Sequence, residues 1–389
     1  MSDSLAGSVG DPVTDGVRGS RGRLSRRTWM LIVSLGTTSG LLAVALLLPV
    51  PFVRISPGPT FNVIGTDDGR EVIEIEGTRT YPATGALDMT TVLEAGGPRG
   101  GLTFIRALTS WLDPTDAVVP RELLFPDDVT GEEVRQRQAA LFSTSSSHAV
   151  SAAMDYLGEP VSAAVVVTAV YGDTPAEGLL EVRDEVVAVD GEPVTSTGDV
   201  VEAVRSKPIG SELEFTVRRV AMGDTDEGAG TSDTGPSELT VRVTTADNPD
   251  APGTAYIGIG LGPLYTADFP ISFTLDDVGG PSAGLMFAMG IIAKLSPVDL
   301  TAGQHVAGTG TITPDGKVGR IGGIRQKLAG AREAGASLFL MPADHCAEAA
   351  GHVPDGLTVT PVATLSEAVA AVEGFVAGRE IPACPVETT

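Results

Sequence analysis

Ser282 and Lys327, 45 residues apart, are the pair in this chain whose types could carry acyl transfer between them. Ser282 sits in Gly279-Gly280-Pro281-Ser282-Ala283-Gly284 and opens an apolar run, Leu285 to Lys294, that reads as a buried helix. A turn feeding that helix would set the serine hydroxyl among free backbone N–H groups at the positive helix end. The N–H groups of Gly280, Ser282 and Ala283 are then the expected holders of a developing oxyanion. Lys327 falls in a second helical stretch, Gly323 to Ala334, with Ile324, Leu328 and Ala331 on its own face. A lysine on an apolar face must be paired or neutral. If neutral, it can take the serine proton, and no histidine is needed.

Other chemistries find less support. A serine at a helix start is commonly only a cap, so Ser282 counts through its conjunction with Lys327. Ser145, Ser146 and Ser147 offer hydroxyls with no positioned lysine. His305 with Ser282 and an aspartate could imitate a histidine triad, but the lysine reading accounts for more residues. The four histidines show no metal-ligand spacing and no CxxC or HExxH occurs, so no metal or cofactor is expected. Gly310 to Val318 has the wrong spacing for a phosphate loop and reads as a turn at Pro314-Asp315-Gly316.

The same residues resemble the proteolytic domain of the Lon family. Thr309-Gly310, Gly316-Lys317-Val318 and Ile321-Gly322-Gly323-Ile324-Arg325-Gln326-Lys327-Leu328 follow its pattern of TG, a turn, then GG and a lysine. The strand Leu338–Met341, Pro342, the strand Leu357–Pro361 and the helix Ser366–Phe375 extend the likeness over 253–377. The resemblance implies that Lys327 is catalytic, that Thr309 supports the dyad, that polypeptides are the substrates, and that copies assemble into a homo-oligomer. It is incomplete at Gly279, where many Lon proteins carry an acidic residue, although Asp276 and Asp277 lie just upstream. No ATPase motif accompanies it, so ATP-independent cleavage of accessible or unfolded chains is expected.

The N-terminus must position this machinery. Residues 1–28 hold Arg18, Arg21, Arg23, Arg26 and Arg27, a cytoplasmic tail on the positive-inside rule. From Trp29 to Val53 there is no charge, a span of 25 residues that reads as a membrane helix, with a cleaved signal peptide as the alternative. The body then lies outside the cytoplasm. Its surroundings would permit a disulfide between Cys346 and Cys384, though two free thiols remain the alternative. A net charge of −24, from 26 basic and 50 acidic residues, argues against nucleic acid as a partner.

Residues 155–248 read as short strands and one helix: Ala163–Val170, Glu185–Val189, Asp199–Ser206, then Glu212–Val220 pairing with Glu238–Thr244. The stretch TPAEGLLEVRDEVVAVDGEPV resembles PDZ domains attached to bacterial proteases, with Arg183-Asp184 where Gly-Asp is usual. The resemblance implies peptide binding by strand addition. Tyr156-Leu157-Gly158 is the candidate carboxylate-binding loop, or else simply the entry to the first strand. Ala221–Ser237 reads as a flexible excursion. Residues 54–154 read as a further α/β module without chemistry, with a long helix over Glu132–Leu157 interrupted at Ser143–Ser147.

The expected architecture is a mixed α+β chain: transmembrane helix 29–53, module 54–154, PDZ-like β-rich domain 155–248, Lon-type α/β domain 253–377 and tail 378–389. The expected function is a membrane-anchored serine endopeptidase with PDZ-assisted recognition. The competing expectation is an idle Lon fold kept as a peptide-binding membrane scaffold.

Overall fold

The computed structural model of the chain describes residues 25–97, 101–125, 130–219, 237–275 and 278–385. The most N-terminal arginines, the segment 220–236 and Asp276-Asp277 lie outside them. α1 (Arg26–Leu47) starts at Ser25, whose hydroxyl accepts the Thr28 N–H. It stops short of the uncharged run. Leu48, with ψ 134°, is already extended before Pro49, as the residue preceding a proline prefers. Residues 49–53, expected in the membrane helix, instead enter β1 (Pro49–Val50) and β2 (Phe52–Asn62).

The chain continues through β3 (Ala86–Ala95), β4 (Leu102–Thr103), α2 (Phe104–Leu112), β5 (Ala117–Pro120) and α3 (Gly131–Leu157). A reciprocal capping box of Thr130 and Glu133 opens α3. The expected break at Ser143–Ser147 does not occur. Ser145, Ser146 and Ser147 are buried and spend their hydroxyls on hydrogen bonds, so they do not interrupt the helix.

The next sheet holds β6 (Val161–Val170), β7 (Glu185–Val189), β8 (Glu212–Arg219), β9 (Ser237–Thr244) and, after β10 (Ala255–Tyr256), β11 (Ile259–Ala267). Its strand order is β9-β8-β7-β6-β11. α4 (Thr197–Arg205) packs Val200 and Val204 into its core with Phe215 and Ile257. Arg183 takes φ +79°, a backbone state that suits glycine. Its neighbour Asp184 is buried and held by Arg219 in a two-pronged ion pair.

The remaining elements are α5 (Gly284–Leu295), β12 (His305–Gly308), α6 (Ile324–Glu333), β13 (Leu338–Pro342), the short α7 (Cys346–Ala349), β14 (Thr358–Val362) and α8 (Leu365–Val376). They close a second six-stranded sheet ordered β14-β13-β12-β3-β2-β5. β12 runs parallel to β3 and β13, while β2 is antiparallel to β3. Residues 54–154, expected as a unit of their own, therefore supply half of the sheet that carries the C-terminal elements. The 161–267 sheet is an insertion within that fold.

Alternation along the strands sorts two cores. Val306, Leu338 and Leu340 face α3, α5 and α8; Ala307, Phe339 and Met341 face α6. α5 is apolar all round and buried along its length, as a helix between a sheet and other helices must be. Cys346 and Cys384 are disulfide-bonded, tying the C-terminal segment to α7.

Candidate active site

Three elements bring the predicted pair together. Ser282 lies in the turn that feeds α5, Lys327 in the first turns of α6, and Thr309 just past β12, at the carboxyl end of a parallel strand where crevices form. The turn depends on Gly280, at φ +88°, and the start of α6 on Gly323, at φ +70°. Gly284 has no room for a side chain: a Cβ there would come within 2.6 Å of Ser145 Oγ.

Lys327 is 2% exposed and Thr309 fully buried. Lys327 Nζ is 2.7 Å from Ser282 Oγ and 2.9 Å from Thr309 Oγ1. Thr309 Oγ1 in turn donates to the Ser282 carbonyl at 3.1 Å. That donation leaves the threonine oxygen free to accept from the amine. A neutral amine that gives one N–H to Thr309 can aim its lone pair at the serine hydroxyl. Among the described residues no carboxylate contacts Lys327, so nothing offsets its burial. Desolvation pushes its pKa down to about 7.

The oxyanion assignment needs one correction. The Gly280 N–H donates to the Gln138 carbonyl at 3.0 Å and is not available. Ser282 and Ala283 N–H form no hydrogen bond to another described residue and belong to the turn that opens α5. The helix-end field and these two donors suit an anion.

α3 holds the turn. Gln138 takes the Gly280 N–H, and Ser145 Oγ donates to the Pro281 carbonyl at 2.9 Å. Nothing in the sequence singles out Gln138, and Ser145, one of three hydroxyls without a positioned lysine, holds the turn instead of attacking. Only the serine run hinted at α3, and a hydroxyl reads the same whether it attacks or positions. The departure at Gly279 also gains a cause: a Cβ there would meet the Gln138 Cβ at 2.7 Å. His305 takes no part. It sits at the other end of β12, with Nε2 2.7 Å from Asp88.

The proposed peptide loop falls elsewhere than expected. Tyr156 and Leu157 end α3, and Gly158 is its left-handed cap. The strand after them, β6, lies between β7 and β11, paired with β11 from Val161 to Val170 and with β7 at Val166. The open edge nearer α4 belongs to β11, preceded by Tyr256-Ile257-Gly258. Near its far end, the Tyr265 N–H is taken by Ser147 Oγ of α3 at 2.6 Å.

Residues 276–373 match the Lon protease (S16) C-terminal proteolytic domain, and residues 142–232 match the PDZ domain. A mitochondrial Lon protease homolog of Aspergillus fumigatus is 39% identical over 93 residues, 23% of this chain and 8% of that protein. The Lon protease of Roseiflexus castenholzii is 46% identical over 63 residues, 16% of this chain and 8% of that one. The chain thus spans well under a tenth of these relatives' length. Among solved structures, the PDZ domain of an SdrC-like protein from Listeria monocytogenes aligns over 25% of this chain and 86% of that one, at 21% identity and TM-score 0.20.

Proposed function

We propose that this chain, which carries a Lon-type C-terminal proteolytic domain and a PDZ domain, is a serine endopeptidase run by a Ser282–Lys327 dyad. The observation that carries the reading is the 2.7 Å approach of a buried, carboxylate-free lysine to a serine at a helix start. Lys327 Nζ takes the Ser282 proton as Oγ attacks the scissile carbonyl carbon. The oxyanion rests on the Ser282 and Ala283 N–H groups. The C–N bond breaks as Lys327 returns the proton to the leaving amine. Water, deprotonated by Lys327, then attacks the acyl carbon, and the proton passes back to Ser282 Oγ. Thr309 orients the amine throughout, and Gln138 and Ser145 hold the turn.

α1 anchors the body outside the cytoplasm. It is long and apolar enough to cross a membrane and none of it is buried. The Cys346–Cys384 disulfide fits an oxidising compartment. The chemistry described needs no ATP. Peptide segments add to the open edge of β11 beside α4, which sets the recognition step one strand from the nucleophile turn.

A fluorophosphonate probe tests the dyad. Labelling should fall on Ser282, rise with pH through about 7, and vanish in Ser282→Ala. Labelling of another residue, or a rate flat with pH, would sink the reading. External protease on intact spheroplasts should digest the body but not the tail; protection of the body would overturn the topology.

A further inference from the structure

α2 is built inside out. Phe104, Leu108, Trp111 and Leu112 recur at i, i+4, i+7 and i+8, one helical face, and all four are exposed. Trp111 is 72% and Leu112 69% exposed, while Ser110, a polar residue, is the one buried. A soluble surface would reverse that arrangement.

Position supplies the occupant. The Phe104 N–H donates to the Leu48 carbonyl, one residue after α1 ends, and β4 pairs with β1 immediately before it. α2 therefore begins where α1 leaves off. The Arg121 N–H donates to Pro51, which brings exposed Leu123 near the same exit. We propose that α2 lies along the bilayer surface beside α1, with Phe104, Leu108, Trp111 and Leu112 in the boundary between headgroups and acyl chains. This rests on the reading of α1 as a membrane anchor. An apolar helical face carrying a tryptophan suits that boundary. The net charge of −24 makes apolar burial, not attraction to anionic lipid, the driving force. Pinned at the anchor exit, α2 would fix the height and tilt of the domain above the membrane.

The chain has two tryptophans, Trp29 in α1 and Trp111 in α2. Trp29→Phe leaves Trp111 as sole reporter, and Trp111→Phe leaves Trp29. Each full chain is reconstituted in phosphatidylcholine vesicles carrying lipids brominated either near the headgroup or deep in the acyl chain. Trp111 emission should shift to the blue and fall about twofold with the shallow quencher, as for an interfacial indole. Adding Leu108→Glu to the Trp29→Phe chain should return Trp111 toward water while Trp29 quenching, read in the matching chain, stays unchanged. Trp111 open to aqueous iodide and untouched by lipid bromine, with Trp29 still quenched by lipid, would overturn the proposal and leave the anchor standing. Shielding of Trp111 from both quenchers would overturn it in favour of a second protein surface. Failure of either lipid quencher to reach Trp29 would remove the anchor reading and this proposal with it.

Discussion

Lys294 and Lys327 are both buried, at 7% and 2% exposure, and each stands on a helix of the same domain. Their neighbours differ. Lys294 Nζ meets the Glu71 carboxylate at 2.6 Å and the Ile73 carbonyl at 2.6 Å. Lys327 meets two hydroxyls and no carboxylate. A carboxylate repays the desolvation of an ammonium; a hydroxyl does not. One site therefore keeps an ion pair that ties α5 to the 71–73 segment, and the other holds an amine whose pKa is pushed down to about 7, as the proposed base requires. The difference teaches that burial lowers a lysine's pKa where no counter-charge offsets it.

Removing either half of the dyad should have the largest effect. Ser282→Ala, Lys327→Ala and Lys327→Arg should each lower peptide cleavage by about 10³-fold or more, since a guanidinium stays protonated. A folded Lys327→Ala that keeps substantial turnover would end the comparison. His305→Ala should keep most activity, because its ring bonds Asp88.

Giving Lys327 what Lys294 has should come next. Thr309→Asp places a carboxylate against the amine, which favours its charged form. The rising limb of activity, expected through about 7 in the parent, should move to higher pH by about one unit or more, with roughly tenfold less turnover at neutrality. An unmoved pH profile would show that the missing counter-charge is not what tunes the base.

Replacing Lys327 should move stability the opposite way to activity. The Lys327 pKa is about 7 in the folded chain and about 10.4 when unfolded. Between those values the unfolded state binds the extra proton, so stability rises with pH across that window. Lys327→Met should remove this slope and stabilise the fold by about 1–3 kcal/mol near pH 7, the gain shrinking toward pH 10. Chemical denaturation at three pH values measures it, and a destabilised variant would contradict the assigned burial cost.

The smallest effect belongs to the ion pair. Glu71→Gln strips Lys294 of its carboxylate but leaves the Ile73 carbonyl. Glu71 is more than half exposed, so solvent screens much of the pair. A loss of about 1 kcal/mol is expected, with cleavage intact. A large loss of activity would mean that Lys294 serves the site directly.

Much of the site was legible because its signals are local. Gly280-Pro281-Ser282-Ala283, the apolar run after it, and Lys327 in phase with Ile324, Leu328 and Ala331 lie within short windows. The PDZ-type strands were legible for the same reason: β8 and β9 pair from Glu212 with Thr244 through to Arg219 with Ser237, as their alternation implies. Readings that depend on distant context fared worse, and two of them show why. Gly158 looked like a loop glycine and is a helix cap. Residues 49–53 lack charge as a membrane helix would, yet pair as strands, with prolines at 49 and 51 that cannot donate to a helix.

By itself the sequence determined the chemistry available: a serine at a helix start, a lysine on an apolar face, a threonine between them, and an uncharged segment long enough for a membrane. Side-chain type and local period carry that information. Tertiary structure alone decided which groups are spent and which are free. Gln138 uses the Gly280 N–H, Ser147 covers Tyr265, and β6 loses its edge to β11. It also joined β3 to β12 across the inserted sheet, where Thr90 Oγ1 reaches the Gly308 carbonyl 218 residues away. Such pairings are selected by shape, burial and backbone hydrogen bonding over the whole fold, and they leave no periodic trace in either partner.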